Sequence, residues 1–361
     1  MYSSPDIAWM RQALTLAREG LYSTTPNPRV GCLIVREGRV VGQGAHLRAG
    51  EPHAEVYALR EAREQARGAT AYITLEPCNH IGRTGPCTQA LVQAGIASVV
   101  VAMEDPNPQV AGGGIAELRA AGIEVLVGVG EAEARQLNRA FVHRIHTGRP
   151  WGVLKWAMGL DGRTALGNGA SQWISGPEAR AWVHRLRASC DAVIVGGGTV
   201  RADDPLLTSR GQRDPEPLRV VLSRSLKLPD QSRLWETAAA PSLVAHGYDA
   251  PIRPRFRLDA RGIDRLLLQP CSPAALLAEL ARRGCNRVLW ECGPELAAAA
   301  LREGCVQELA AVVAPKLLGG VAARTPLGEL GFTAMDQVPL WGGGAPQPLG
   351  RDWLWRLQPP G

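Results

Sequence analysis

The chain has 361 residues, of which 45% are hydrophobic and 20% are charged, with a formal net charge of +6 and eight scattered cysteines. This length suits two domains, and this composition excludes a disordered or fibrous chain. The lack of a long apolar run excludes a membrane span, the lack of a basic run argues against nucleic-acid binding, and the cysteine pattern favours a cytoplasmic location over a disulfide framework.

The first half of the chain alternates helical and strand patterns. Helices are predicted near 7–18, from Pro52 onward, and near 88–94, 114–121 and 131–144. A hairpin is predicted over 30–42, and strands are predicted at 71–75, 98–102 and 124–127. This alternation indicates an α/β sheet covered by helices.

Turn-forming residues at 147–150 mark a domain boundary and predict domains 1–147 and 148–361. The second domain repeats the alternation, with strands predicted at 151–158, 192–196, 218–222, 243–245 and 288–291. Its helices are predicted at 178–187, 273–282 and 294–302, and the tail from Val338, rich in Pro and Gly, is predicted to be an irregular edge.

A metal-ligand pattern lies in the first half. His53 and Glu55 open a helical pattern, Cys78 follows a strand, and Cys87 opens the next helix. One imidazole and two thiolates leave a fourth zinc position open, which a catalytic site requires, and a helix N-terminus favours the thiolate form of a cysteine. Glu55 is the candidate for moving protons between water and a leaving amine. The remaining cysteines are predicted to be small buried hydrophobic residues.

Ordered motifs around these residues support a family resemblance. TPNPRVGC, GAHLRAGEPHAE, TLEPCNHIGRTGPC and DPNPQVAGGG resemble the deaminase half of the bifunctional deaminase-reductases of riboflavin biosynthesis. The resemblance implies a cytidine-deaminase-like three-layer α/β domain with one Zn²⁺ per chain on His53, Cys78 and Cys87, and Glu55 as the catalytic residue. It implies substrate contacts from Asn27, His46, His80, Arg83 and Asn107.

The second half contains glycine-rich strand ends but lacks a GxGxxG fingerprint after a strand, so an ordinary Rossmann site is not predicted. Glycines at a strand end allow backbone amides to approach phosphates, and the helix start at 293–296 fits that role best. KWAMGLDGRTA, SQWISGPEAR, GGGTVRADDPLLTSR, PLRVVL, WECGPELA and VAPKLLGG resemble the reductase half of the same family.

That second resemblance implies a dihydrofolate-reductase-like α/β domain that uses NADPH. It implies cofactor-binding contacts from Ala157, Trp173, Thr199, Asp203, Gly293, Pro294, Glu295, Leu296, Ala297, Ala298 and Ala299. It implies reductase substrate contacts from Lys155, Ser171, Arg187, Leu207, Arg210 and Glu291. The two arginines suit a sugar phosphate, which a guanidinium can bind in bidentate fashion, and Glu291 suits ribose hydroxyls or an amine.

The resemblance implies a sequential enzyme. Its first domain deaminates 2,5-diamino-6-(ribosylamino)pyrimidin-4-one 5′-phosphate, and its second reduces the ribosyl group to ribityl with NADPH. The partner is then a small phosphorylated pyrimidine, without nucleic acid or membrane, and members of the family often form homo-oligomers. One alternative is an active deaminase with a non-catalytic ligand-binding second domain. The other is a nucleic-acid deaminase, which the missing basic stripe and the eight-residue cysteine spacing disfavour.

Overall fold

The computed structural model describes residues 3–80, 85–108 and 110–360. The chain divides into two compact units, Met1–Gly148 and Arg149–Gly361, called unit 1 and unit 2 below. Both units are mixed α/β, as predicted from the strand and helix patterns. Within the described ranges, no helix is both long enough and apolar enough to cross a bilayer.

Unit 1 is built around one mixed sheet. Its strands are β1 (Gly31–Arg36), β2 (Arg39–Ala45), β3 (Thr70–Ile73), β4 (Ser98–Val101) and β5 (Glu124–Val127). Its helices are α1 (Ser4–Ala17), α2 (Ala54–Ala62), α3 (Cys87–Gln93), α4 (Gly113–Ala120), α5 (Glu131–Leu137) and α6 (Arg139–Thr147). The strand order is β2-β1-β3-β4-β5, antiparallel at β2-β1 and β1-β3 and parallel from β3 to β5.

The start of α2 lies directly on the sheet because β2 carries glycine at the contact. A Cβ placed on Gly44 would lie 2.3 Å from the carbonyl oxygen of Ala54, so only glycine allows this approach. Helix α2 begins at Ala54, with His53 as its N-cap in an extended conformation. Pro52 therefore precedes the cap, and the prediction that it starts the helix was wrong.

The predicted helix over 131–144 is two helices, because Asn138 interrupts it. The side chain of Asn138 accepts a hydrogen bond from the backbone N of Arg29 at 2.8 Å and donates one to the carbonyl of Arg29 at 2.9 Å. An asparagine side chain that bonds another segment competes with continuation of the helix. The break ties α5 and α6 to the segment that contains Asn27.

Unit 2 is built around a larger sheet. Its strands are β6 (Trp151–Gly159), β7 (Ala192–Gly196), β8 (Leu218–Leu222), β9 (Ser242–His246), β10 (Asp264–Leu267), β11 (Arg287–Trp290), β12 (Glu308–Ala314), β13 (Gly342–Gly343), β14 (Gln347–Leu349) and β15 (Asp352–Gln358). Its helices are α7 (Pro177–Ala188), α8 (Gly197–Asp203), α9 (Ile252–Asp259), α10 (Pro273–Arg282) and α11 (Pro294–Arg302).

The strand order of this sheet is β10-β9-β8-β7-β11-β6-β12-β15-β13, and β14 also pairs with β15. The strands from β10 to β12 are parallel, and β15 runs antiparallel to β12. The prediction of an irregular tail from Val338 was wrong, since the tail supplies β13, β14 and β15. Buried Asp352, at the start of β15, accepts a hydrogen bond from the backbone N of Gly176 at 2.6 Å and so fixes the tail to the start of α7.

Candidate metal and reductase sites

Three potential metal ligands converge in unit 1. His53 caps α2, Cys78 follows β3, and Cys87 is the first residue of α3. His53 Nδ1 lies 3.2 Å from Cys87 Sγ and 3.5 Å from Cys78 Sγ, and the three ligand atoms lie within 4.8 Å of one another. One nitrogen and two sulfur donors form a soft ligand set that suits zinc.

The environment of Cys78 favours its thiolate. The pKa of Cys78 is lowered to about 4, first by the Cys87 thiol and then by His53 and the backbone N–H of Cys87, although burial opposes the shift. That backbone N lies 3.5 Å from Cys78 Sγ, at the start of α3. The pKa of Cys87 is raised by the Cys78 sulfur and by burial. The lowered pKa of Cys78 favours the thiolate form, which is the form that binds a metal ion.

Glu55 lies beside these ligands and is buried. Its residue is 3% exposed, and its Oε2 is buried with no hydrogen-bond partner among the described residues. Burial raises the pKa of Glu55 to about 7, and a backbone hydrogen bond and the nearby His53 charge oppose that rise only in part. A carboxyl group with a pKa near neutrality both accepts and donates a proton at physiological pH. The orphaned oxygen fits a site that takes a further polar group.

A hydrogen-bonded chain fixes His46 next to the ligand His53. The two imidazole rings are edge-to-face, with centroids 5.4 Å apart. His46 Nδ1 lies 3.2 Å from the carbonyl of Pro52, and its Nε2 lies 3.0 Å from Asn27 Nδ2. Burial lowers the pKa of His46, so the ring is neutral near pH 7. Its Nδ1 then donates to Pro52 and its Nε2 accepts from Asn27.

The structure says less about the other predicted deaminase contacts, which are His80, Asn107 and Arg83. His80 is exposed, and half-buried Asn107 donates its backbone N–H to Asp105 Oδ1 at 2.8 Å. Asp105 was not among the site residues predicted from the sequence. Its pKa is raised mainly by burial, and charges from Glu76 and Cys78 add to the effect. Arg83 lies outside the described residues.

In unit 2, Glu291 and Arg187 form a bidentate ion pair. Arg187 Nε and Nη2 donate to the two carboxylate oxygens of Glu291 at 2.8 and 2.9 Å, and Nη1 donates to the Thr208 carbonyl at 3.0 Å. Burial alone raises the pKa of Glu291, but the charge and hydrogen bonds of Arg187 outweigh it and lower the pKa to about 2. Lys155 also acts on this carboxylate, and burial lowers the pKa of the lysine itself.

This pairing differs from the predicted roles of the two residues. The guanidinium of Arg187 uses Nε and Nη2 to bind the Glu291 carboxylate, so these two groups are not available for bidentate binding of a phosphate. Arg210 is exposed, on a turn in which Glu216 accepts the backbone N–H groups of Ser209 at 2.6 Å and Gly211 at 3.1 Å. Leu207 is 2% exposed and packs in the core, so its side chain is not available to a substrate.

His184, a further residue near this ion pair, was not predicted from the sequence. It lies one turn before Arg187 on α7, and its Nδ1 is buried with no hydrogen-bond partner among the described residues. Burial lowers the pKa of His184, and the charges of Arg187 and Arg210 lower it further. The signal available in the sequence was its spacing of three residues from Arg187 on one helix face.

The predicted cofactor residues lie on several strand ends and helix starts. Gly293 caps α11, Thr199 lies in α8, and a Cβ on Gly293 would lie 3.8 Å from Thr199 Oγ1. Trp173 is 62% exposed, with the Arg180 guanidinium 4.7 Å from its ring centroid. Lys316 Nζ donates to the Trp173 carbonyl at 2.6 Å.

The rest of the predicted reductase set is distributed around these points. Ala157 lies on β6 with Lys155, Asp203 ends α8, and Ser171 is half-buried two residues before Trp173. The remaining predicted residues form the first turns of α11, where Ala297 and Ala298 are buried: Pro294, Glu295, Leu296, Ala297, Ala298 and Ala299.

Two family models match the chain. The cytidine and deoxycytidylate deaminase zinc-binding region matches residues 3–103, and the RibD C-terminal domain matches residues 150–344. The riboflavin biosynthesis protein RibD of Synechocystis is 51% identical over 349 residues, covering 97% of this chain and 95% of that protein. The RibD of Escherichia coli is 44% identical, covering 88% of this chain and 89% of that protein.

Solved structures resemble the whole chain. Acinetobacter baumannii RibD, form 1, superimposes with a TM-score of 0.91 and 44% identity and covers 99% of both chains. A Thermotoga maritima protein described as a diaminohydroxyphosphoribosylaminopyrimidine deaminase/5-amino-6-(5-phosphoribosylamino)uracil reductase superimposes with a TM-score of 0.88 and 33% identity. It covers 98% of this chain and 99% of its own.

Proposed function

Because the chain belongs to the RibD family of bifunctional riboflavin-biosynthesis deaminase-reductases, we propose that it performs two successive steps on one phosphorylated pyrimidine. Residues 1–147 hydrolyse 2,5-diamino-6-(ribosylamino)pyrimidin-4-one 5′-phosphate to its deaminated product and ammonia. Residues 148–361 then add two hydrogens to the ribosyl group of that product and form the ribityl group with NADPH. The observation that carries the proposal is the convergence of His53, Cys78 and Cys87 beside Glu55, whose Oε2 has no hydrogen-bond partner among the described residues.

His53, Cys78 and Cys87 hold one Zn²⁺ in this proposal. Their proximity and the lowered pKa of Cys78 support this role. When bound, zinc supplies Lewis-acid activation of water.

Glu55 carries the proton in the deamination. With a pKa raised to about 7, it takes a proton from the attacking water and delivers it to the amino nitrogen that leaves as ammonia. The orphaned Oε2 supports this role, since no described group of the protein competes for it.

Asn27, His46, His80 and Asn107, with Arg83, bind the pyrimidine and its ribosyl phosphate. His46 in its Nδ1–H tautomer holds the Asn27 amide in one orientation, which supports recognition of a polar ring. A neutral imidazole beside His53 also avoids repulsion of a bound cation.

In the reductase, the paired charges of Glu291 and Arg187 orient Lys155 and the substrate. Exposed Arg210 binds the phosphate, with Ser171 adding a hydroxyl. Leu207 contributes its backbone, because its side chain is buried. NADPH, which supplies the hydride, is held by Ala157, Trp173, Thr199, Asp203 and the turn from Gly293 to Ala299.

Product analysis by mass spectrometry tests this function. Purified protein is mixed with the diaminopyrimidine ribotide, with and without NADPH, and its zinc content is measured. We expect the deaminated product without NADPH and its doubly hydrogenated form with NADPH. Deamination without NADPH oxidation indicates the alternative in which the second domain only binds ligand. If zinc is bound and neither product forms, the substrate assignment is wrong.

A salt-dependence assay tests the remaining alternative, in which the chain is a nucleic-acid deaminase. A nucleic-acid deaminase binds RNA or DNA tightly at low salt and loses affinity steeply as salt rises, and we expect no such binding.

A cytoplasmic location and homo-oligomer formation stay predictions.

A further inference from the structure

Glu76 is a buried carboxylate that lies two residues before the ligand Cys78 and was not singled out from the sequence. The residue is 4% exposed. Its Oε2 accepts the backbone N–H groups of Asp105 and Gly112, both at 3.0 Å. Its Oε1 accepts those of Gly114 at 2.9 Å and Ile115 at 3.2 Å. Four backbone donors therefore converge on one side chain.

No described Lys, Arg or His forms an ion pair with Glu76, and its carboxyl oxygens accept hydrogen bonds from backbone N–H groups instead. Gly114 and Ile115 belong to the first turn of α4, whose N-terminus carries partial positive charge. Hydrogen bonds from backbone N–H groups to a carboxylate are strong in a buried setting.

The segment bound by Glu76, the glycine-rich loop (105–108 and 110–115), packs tightly on the chain that carries Cys78. A Cβ on Gly114 would lie 2.0 Å from the Pro77 carbonyl oxygen, and one on Gly113 would lie 2.8 Å from Asn79 Nδ2. The backbone N of Glu76 also donates to the Met103 carbonyl at 2.9 Å. The loop is thus fixed to the residues on either side of Pro77.

We propose that Glu76 is a positioning residue for deamination, which sets the glycine-rich loop, and with it Asn107, at a fixed place relative to Cys78. This inference rests on the proposed function of unit 1. In this proposal Glu76 acts through the loop and not by contact with substrate or metal. It couples the metal-ligand segment to the segment that holds the pyrimidine, so that the amino-bearing carbon is held near Glu55.

Glutamine, the amide isostere of glutamate, tests the hydrogen bonds of Glu76 without changing the size of the side chain. In Glu76→Gln the side chain keeps its size, but its –NH₂ group faces two backbone N–H donors and cannot accept hydrogen bonds from them. The loop then loses half of its anchoring hydrogen bonds while the ligands are unchanged. A displacement of the loop weakens substrate positioning more than it weakens zinc binding.

The experiment compares steady-state deamination by the zinc-loaded full chain and its Glu76→Gln variant. We expect KM for the diaminopyrimidine ribotide to rise about tenfold or more, with a smaller change in kcat. Zinc content and reduction of supplied deaminated substrate stay unchanged. Glu61→Gln is the matched control. Exposed Glu61 lies in the same unit, accepts the backbone N–H of Gln43 at 2.9 Å, and should leave KM unchanged.

A double-mutant cycle with Asn107→Ala tests the route of the effect. If Glu76 acts by placing Asn107, the KM increases of the two changes do not multiply in the double variant. Multiplied effects, an unchanged KM in Glu76→Gln, or loss of zinc from that variant each overturn the proposal. If Glu76→Gln does not fold, Glu76→Asp, which keeps the charge with a shorter reach, is judged by the same criteria. Failure of the wild-type chain to deaminate contradicts the proposed function instead.

Discussion

The two units each remove a carboxylate from solvent, and they treat it in opposite ways. In unit 1, Glu55 is buried with an unpaired oxygen, and its pKa rises to about 7. In unit 2, the Glu291 side chain is 11% exposed and locked in a bidentate pair with Arg187, and its pKa falls to about 2. Burial opposes ionisation in both cases, so the partner decides the outcome.

This difference separates two tasks. A carboxyl that titrates near neutrality exchanges protons during a reaction, whereas a carboxylate that stays ionised serves as a fixed charge for orientation. Deamination needs the first, because a proton moves from water to ammonia. Hydride transfer from a nicotinamide needs the second, because the protein chiefly positions the reactants.

Zinc removal should have the largest effect and should act on unit 1 alone. We expect a chelator to abolish deamination, because the ligand cluster loses its cation, and to leave reduction of supplied deaminated substrate unchanged. Both activities are measured on the same sample, with zinc added back as the control. Retained deamination in metal-free protein contradicts the role of His53, Cys78 and Cys87.

Glu55→Gln should remove the titrating group while leaving the ligands in place. We expect kcat for deamination to fall by about 10²–10⁴-fold, the usual contribution of a general acid–base. Zinc content and stability should be retained, because glutamine keeps the size of the side chain and Glu55 Oε2 has no hydrogen-bond partner to lose among the described residues. Exposed Glu61→Gln, on the same helix, is the control, and unimpaired deamination by Glu55→Gln excludes the proton-transfer role.

Glu291→Gln should damage stability as well as activity. The substitution leaves the Arg187 cation without its carboxylate, and breaking a buried pair from one side costs about 3–5 kcal/mol. Urea unfolding followed by tryptophan fluorescence measures the loss in unit 2, because nine of the ten tryptophans lie there. Reduction should fall and deamination should persist. A variant as stable as the wild type contradicts the importance of the pair.

Acid should diminish the stability difference between wild type and Glu291→Gln. The folded pKa of Glu291, about 2, is below its ordinary value of 4.5, so its contribution is complete above pH 4.5 and is lost as pH falls towards 2. Urea unfolding of both proteins over that range checks this, and the Glu61→Gln protein corrects for general acid effects. A difference that is independent of pH contradicts the lowered pKa.

The fold class followed from the sequence because it depends on local patterns of strands and helices. The metal-ligand candidates were chosen from ordered motifs, and the folded structure brings them together. Strands β5, β7 and β8 have the predicted bounds, since each is a short apolar or alternating run between turn residues. β12 was missed because its run, ELAAVVA, includes three alanines, which have low strand propensity. β15 was missed because it follows a Gly- and Pro-rich segment that reads as a loop.

The unpredicted parts depend on partners that are distant along the chain. The fork of Arg187 meets Glu291 only through the folding of α7 against the end of β11, and neither residue type indicates that pairing by itself. The hydrogen bonds of Glu76 likewise join a strand end to a loop after the next strand. A sequence pattern gives the type of side chain, but tertiary contacts decide whether it is paired, buried or free to react.

The place of β6 within its sheet bears on the order in which the chain folds during synthesis. β6 is the first strand of unit 2 to be made, yet it lies between β11 and β12, whose residues come much later. Unit 1 has all its strands once its own residues have left the ribosome, so it can close and acquire zinc early. The second sheet has no completed centre until β12 has been made. A truncated nascent chain thus exposes the unpaired backbone edges and the apolar side chains of β6. We expect chaperones to bind there rather than on unit 1.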